Sequence, residues 1–218
     1  MTWNCGHGSP GARRAPADQQ WAAIAALAPD VALLQEARPA DAEELGYDLI
    51  YSTYPSKGWC SVVAVRRELG QLQFLPTVDR PGLVAAARLT GASGLDVVLV
   101  SVHVPSTEKG REFAHALMTS LDAELGQVIV GGDFNAGPGI GTHPATFMPE
   151  HRLLELTTSE PERNTLVRPQ HPGTTFQIDH VFGRGFALSE PMCVLPFADV
   201  GGPQLSDHNA LWVELTSG

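Results

Sequence analysis

Gln127-Val128-Ile129-Val130-Gly131-Gly132-Asp133-Phe134-Asn135 decides how this chain folds. Its Val-Ile-Val core reads as a buried strand, because β-branched side chains suit a pleated surface. Two glycines then let a second backbone come close. Asp133 and Asn135, two residues apart, fall on one side of an extended chain while Phe134 turns to the core. The stretch therefore delivers a carboxylate and an amide to the end of a strand.

Similar short apolar runs recur on both sides of it. They predict strands at 31–35, 49–53, 61–66, 83–89, 96–104, 127–131, 178–182, 192–196 and 209–215. Only two helices are expected. In the first, Asp18 caps a segment whose face is Trp21, Ile24, Ala25 and Ala28, and Pro29 stops it. The second covers about 107–125, with Phe113, Leu117, Leu121 and Leu125 spaced four apart as a core-facing stripe. Pro/Gly clusters at 8–16, 137–149 and 169–173 read as surface loops, and no repeat or low-complexity tract appears. Many strands with few helices imply an α/β fold built as two face-to-face sheets with helices outside, in one domain over 1–218. A doubly wound parallel sheet is the alternative, disfavoured because strands so often follow strands.

Composition agrees with a globular protein. The chain has 218 residues, 43% hydrophobic and 17% charged, enough to bury a core without disulfides or a structural metal. Cys5, Cys60 and Cys193 lack paired spacing, which fits a reducing, cytoplasmic setting. No run approaches the roughly 18 apolar residues of a membrane span, and the first residues lack signal-peptide character. A monomer is expected. With 14 Lys and Arg against 24 Asp and Glu the formal charge is −10, which weighs against tracking along a polyanion.

Polar residues interrupt or end these apolar runs at a few places. Asn4 follows Thr2-Trp3, Glu36 follows the 31–35 run, and His103 follows 97–102; Asp133 and Asn135 follow 128–132. Asp179 interrupts 176–182, and Asp207-His208 precede 210–215. The set holds carboxylates, amides and imidazoles, with no serine or cysteine elbow. Hard divalent cations take oxygen ligands, a role that Glu36 and Asp207 fit. Asp207 and His208 can serve a metal and a proton transfer from adjacent positions, and Asp179 is the candidate partner that fixes the His208 tautomer. Singly, each residue has an ordinary explanation: Asn4 a cap, Glu36 a solvated carboxylate, Asp133 and Asn135 a turn, His103 a core histidine. Asp179 in an apolar strand is harder to dismiss, since an unpaired buried charge is costly.

Taken in order, Thr2-Trp3-Asn4, Leu34-Gln35-Glu36, Gly131-Gly132-Asp133-Phe134-Asn135, Ile178-Asp179-His180-Val181 and Leu205-Ser206-Asp207-His208-Asn209-Ala210-Leu211 resemble the signature blocks of the endonuclease/exonuclease/phosphatase superfamily. The resemblance runs from Thr2 to Leu211. It implies a four-layer α/β sandwich, two packed mostly antiparallel sheets flanked by helices. It also implies magnesium- or manganese-dependent hydrolysis of a phosphoester in a nucleic acid, a nucleotide, or a small or lipid phosphodiester. By the same resemblance Glu36 is the principal metal ligand, with Asn4 and Asp207 beside the metal. Asp133 orients or deprotonates the attacking water, and Asn135 holds it and the phosphate. Asp179 and His208 form the pair that stabilises the transition state or acts as base, and His103 contacts the phosphate and protonates the leaving oxygen.

Gly6 departs from the abasic-site endonuclease branch, which has an Asp there, and the first strand is short enough that Asn4 is expected to be loosely held. No role is expected for His7, His115, His143, His151 or His180. Lys57 and Trp59 precede a strand where relatives often approach substrate, although Trp59 reads first as core. A non-catalytic binding module on the same fold is the competing function, disfavoured because every matched polar position is filled.

Overall fold

Alternation along the strands builds the layers. The computed structural model describes residues 1–6, 15–38, 44–52, 58–76, 80–92, 94–107, 109–124, 126–137, 153–156, 165–167, 176–196 and 205–217. One six-stranded sheet holds, in spatial order, β12 (Cys193–Leu195), β13 (Ala210–Trp212), β1 (Thr2–Asn4), β2 (Val31–Ala37), β4 (Cys60–Arg66) and β3 (Tyr47–Tyr51). The second holds β5 (Gln71–Phe74), β6 (Val84–Thr90), β7 (Asp96–His103), β8 (Gln127–Asp133), β10 (Asp179–Arg184) and β9 (Leu154–Glu155). A two-stranded ribbon pairs β11 (Phe186–Leu188) with β14 (Leu215–Ser217). Among the described residues, only β1–β2 and β7–β8 run parallel within the two large sheets.

Leu33, Val63, Ala85, Ala87 and Leu99 meet between the sheets. Their neighbours along the same strands face outward: Leu34, Val62 and Ala64 pack with Trp21 and Ile24 of helix α1 (Ala17–Leu27). On the far side Val98, Val100, Val128 and Val130 pack with Leu117, Met118 and Leu121 of helix α2 (Lys109–Asp122). Helix, sheet, sheet, helix is the four-layer sandwich, and strands covered on both faces explain the near-continuous apolar runs.

Several elements differ in detail from expectation. Pro16 holds the N-cap position of α1, with no side-chain cap; Asp18 lies inside the first turn, where a carboxylate complements the helix dipole. Ala28 ends that helix in a left-handed conformation and is exposed; buried Gln20 takes the core-facing place, donating to the carbonyls of Cys5 (2.7 Å) and Leu205 (2.7 Å). In α2, Leu117 and Leu121 are buried while Phe113 is half-buried; Leu125 lies outside the described residues. The expected strand at 209–215 is broken into β13 and β14, and β5, β9 and β11, of two to four residues each, are too short to announce themselves.

Parallel β7 and β8 end together, His103 opposite Asp133, and antiparallel β10 begins there, Asp179 opposite Asp133. Parallel β1 and β2 pair up to Asn4 opposite Gln35. Both sheets therefore present the residues that end their polar blocks at one rim.

Candidate active site

Asp133 is at the centre of that rim, 2% exposed and held by two N–H donors. The Asn4 amide donates to its Oδ2 at 2.9 Å, and the Asn135 backbone N–H donates to its Oδ1 at 2.7 Å. Burial, followed by the nearby Asp179 charge, raises the Asp133 carboxyl to about 6 against the opposing pull of His208. Beyond Asp133 the chain is not extended: Asn135 turns into a left-handed backbone conformation, φ 47°. Its side-chain amide donates to the Val104 carbonyl at 2.9 Å, so Asn135 is anchored to the end of β7.

His208 stands between two carboxylates. Its Nδ1 lies 2.9 Å from Asp179 Oδ2, and its Nε2 lies 3.8 Å from Asp133 Oδ2. Burial alone lowers an imidazole, but the charge and hydrogen bond of Asp179, with Asp133 and Asp207 adding, raise His208 to about 10. The ring is an imidazolium at neutral pH, Nδ1–H toward Asp179 and Nε2–H toward the rim. Asp179 heads β10 and does not interrupt a strand, and its 0% exposure is matched by the cation it holds.

Glu36 extends past the expected end of its strand. The register of β2 against β4 shifts between Leu34 and Ala37, and Glu36 adopts φ 48°. Strained backbone of this kind in a bulge commonly re-aims a functional side chain. Here Glu36 Oε1 comes 3.7 Å from His103 Nε2, which is also 3.8 Å from Asp133 Oδ2. These gaps exceed a direct hydrogen bond. Burial first, then His208, lowers His103 against the pull of Glu36, so it is neutral near pH 7. It offers a hydrogen bond there more readily than a proton to a leaving group.

Asn4 is not loosely held. It is 2% exposed, pairs with Gln35 of β2, and its Oδ1 accepts from the Gly6 N–H at 2.9 Å. Gly6 has φ 71°, and a Cβ there would sit 2.8 Å from Asp207 Oδ1. The backbone turn and the Asp207 carboxylate leave no room for the Asp of the abasic-site branch. Asn4, Glu36, His103, Asp133, Asn135, Asp179, Asp207 and His208 thus form one contiguous cluster.

A polar layer below the rim escaped sequence reading. Buried Gln35 reaches across the sandwich, its amide nitrogen 3.0 Å from Ser101 Oγ and 3.2 Å from Thr2 Oγ1. Ser101 Oγ donates to the Leu34 carbonyl at 2.6 Å. One Gln and one Ser inside otherwise apolar strands were the available signal. Trp59, expected in the core, is half-buried with its ring 6.0 Å from that of His103, at the edge of the cluster. His180, given no role, is fully buried with Nε2 3.0 Å from the Ala136 carbonyl, under the turn that carries Asn135. His115 is exposed on α2; His7, Lys57, His143 and His151 lie outside the described residues.

Two groupings could hold a cation. Asp133, Asp179 and His208 place ligand atoms within 4.8 Å of one another. There His208 already pairs with Asp179 and faces Asp133, and an ion ligated by its ring would have to break its bond to Asp179. The Glu36, Asn4 and Asp207 side can supply oxygens with no imidazolium among them, and buried Asp207 Oδ1, like Asp179 Oδ1, has no hydrogen-bond partner among the described residues. Hard oxygens without a competing protonated ring fit magnesium or manganese better. A cavity of about 410 Å³ at the opposite end of the sheets is lined mainly by aliphatic residues such as Val31, Leu89, Val97 and Ile129 and carries no comparable polar cluster.

Residues 1–208 match the sequence profile of the endonuclease/exonuclease/phosphatase family. The chain belongs to that family. Its fold is shared with an endonuclease/exonuclease/phosphatase from Bacteroides vulgatus, at TM-score 0.73 and 17% identity over 100% of this chain and 97% of the other. D. rerio TDP2 complexed with a single-strand DNA product gives 0.73 and 17% over 99% and 97%. A Bacteroides thetaiotaomicron mannosyl-6-phosphatase gives 0.69 and 17% over 99% and 98%. No curated protein matches the chain. Members of this family are metal-dependent phosphoesterases.

Proposed function

We propose that this protein is a magnesium- or manganese-dependent phosphoester hydrolase acting through the cluster around Asp133. One observation carries the reading: a carboxylate of raised pKa, fixed by two N–H donors, lies 3.8 Å from the ring nitrogen of an imidazolium that Asp179 holds charged at neutral pH. Sites whose neighbouring groups are pushed apart in pKa reveal which takes the proton and which supplies charge.

Asp133 is the base. Each of its oxygens keeps a lone pair free of the Asn4 and Asn135 donors, and a carboxylate near 6 accepts a proton from water more readily than an ordinary one. His208, oriented by Asp179, donates Nε2–H to a phosphate oxygen and counters the charge that builds there. His103 adds a neutral N–H from the Glu36 side. Asn135, tied to Val104, keeps the turn from drifting away from Asp133. Glu36, Asn4 and Asp207 would hold the cation, which when bound supplies Lewis-acid neutralisation of the phosphate.

The fold does not choose the substrate, since the similar structures include a DNA-bound TDP2 and a sugar phosphatase. A net charge of −10 without a basic stripe favours a small phosphoester or a short single strand over duplex DNA. Bis-p-nitrophenyl phosphate with manganese tests the chemistry. Asp133→Ala and His208→Ala should each lower the rate by about 10²–10³. Equal rates in wild type and both variants would leave the non-catalytic binding module as the better reading. Salt separates substrate classes: polyanion cleavage falls steeply as salt rises, while a single-phosphate substrate responds little.

A further inference from the structure

The Asp179–His208 pair is assembled from two chain segments that do not hydrogen-bond to each other through their backbones within any sheet. Asp179 begins β10, whose partner on one side is β8. On the other side β9 reaches only Phe182 and Gly183, leaving the start of β10 without a strand neighbour there. Buried backbone N–H groups require acceptors, so something must replace that neighbour.

Thr165 does so. It is 0% exposed, and its Oγ1 accepts from the N–H of Ile178 at 3.0 Å and of Asp179 at 3.2 Å. Successive N–H groups of a regular strand point to opposite sides, so two converging on one oxygen mark a local turn of the backbone at Asp179. The same short segment holds the other half of the pair. The Thr165 carbonyl accepts from Asn209 N–H at 2.8 Å, Leu166 bridges His208, and Val167 N–H donates to the Asp207 carbonyl at 2.9 Å.

From this juxtaposition we infer that Thr165 is a positioning residue, whose hydroxyl sets the Asp179 backbone and whose carbonyl sets the strand start after His208, so that carboxylate and imidazole meet at hydrogen-bond distance. Asp179 Oδ1 has no hydrogen-bond partner among the described residues, so the His208 contact through Oδ2 depends on how the backbone presents the carboxylate. The catalytic consequence rests on the proposed hydrolase function; the geometry does not.

Thr165→Val keeps the shape and removes the hydroxyl, and Thr165→Ser keeps the hydroxyl and removes the methyl. The first readout is the downfield proton resonance of His208 Nδ1–H held by Asp179, observed by NMR without metal or substrate. It should be lost or displaced in Thr165→Val and retained in Thr165→Ser. With bis-p-nitrophenyl phosphate and manganese, Thr165→Val should lower kcat about 10–100-fold at little-changed KM, with Thr165→Ser near wild type. An unmoved resonance in Thr165→Val, or a Ser variant as impaired as the Val variant, overturns the inference. Should Thr165→Val not fold, amide exchange in the wild type decides: Ile178 and Asp179 should exchange as slowly as the β10 interior, and rapid exchange at both refutes the hydroxyl contacts. A wild type without hydrolysis would end the enzyme reading, while the resonance and exchange data would still judge Thr165.

Discussion

At the residue scale, the Asp179–His208 pair makes stability depend on pH in a direction that can be worked out. His208 is raised from about 6.5 to about 10, so its contribution is complete below about pH 6.5 and is lost as pH rises through about 10. Asp133 is also raised, from 3.8 to about 6, and its contribution is lost between those values. The window from pH 6.5 to 10 lies above the Asp133 change. The buried Met1 amine and Cys5 thiol, whose shifts also act there, are common to wild type and an Asp179 variant, so the difference between the two reports His208. With a chelator present, Asp179→Asn should be destabilised by about 3–5 kcal/mol near pH 6.5, the usual cost of breaking a buried pair. The gap to wild type should close as pH approaches 10. Urea melts at several pH values would show it, and a gap constant across that window would mean the imidazolium is not held by Asp179. A carboxylate beside an adjacent Asp-His could be nominated from the sequence as a partner. Its distance, and which ring nitrogen it takes, depend on contacts from residues far along the chain.

At the element scale, the glycines of β8 explain how the rim is built. A Cβ on Gly132 would lie 1.8 Å from the Val102 carbonyl oxygen, whereas one on Gly131 would meet Leu33 Cδ1 at 2.8 Å and Thr2 Cβ at 3.2 Å. The first clash is with backbone, which cannot rotate away; the second is partly with the tip of a flexible side chain. Gly132→Ala should therefore cost more than Gly131→Ala, beyond the about 1–3 kcal/mol usual for overpacking. It should also lower activity by separating His103 from Asp133, its register partner. Denaturant midpoints test the ordering, and a Gly131 variant worse than the Gly132 variant would contradict it. The need for close approach was legible in Gly131-Gly132, as were the apolar strands and the stripe of α2. The bulge at Glu36 and the left-handed turn at Asn135 were not: the first violates the local preference of its residue, the second is a conformation Asn tolerates without requiring it, and both depend on packing from other strands.

At the scale of the whole molecule, the sandwich gathers charge at one end. Glu36, Asp133, Asp179 and Asp207 come from three strands and a loop, and among the described residues the largely aliphatic core between the sheets gives them no counter-charge except His208. Two carboxylates about 4 Å apart repel by roughly 4 kcal/mol at an effective dielectric of 20. A cation that binds only the folded chain should relieve this and raise the melting temperature, with about 2.7 kcal/mol gained at a hundredfold excess over Kd. For a chain of this length that corresponds to roughly 5–10 °C. The location of the ion follows from which variants lose the shift. If Glu36, Asn4 and Asp207 hold it, Glu36→Gln and Asp207→Asn should abolish the manganese-induced rise while Asp179→Asn keeps most of it. Loss of the rise in Asp179→Asn alone would move the ion to the Asp133, Asp179 and His208 group, and would require His208 to give up its proton to bind it. A melting curve unmoved by millimolar metal in the wild type would remove the cation from the site altogether.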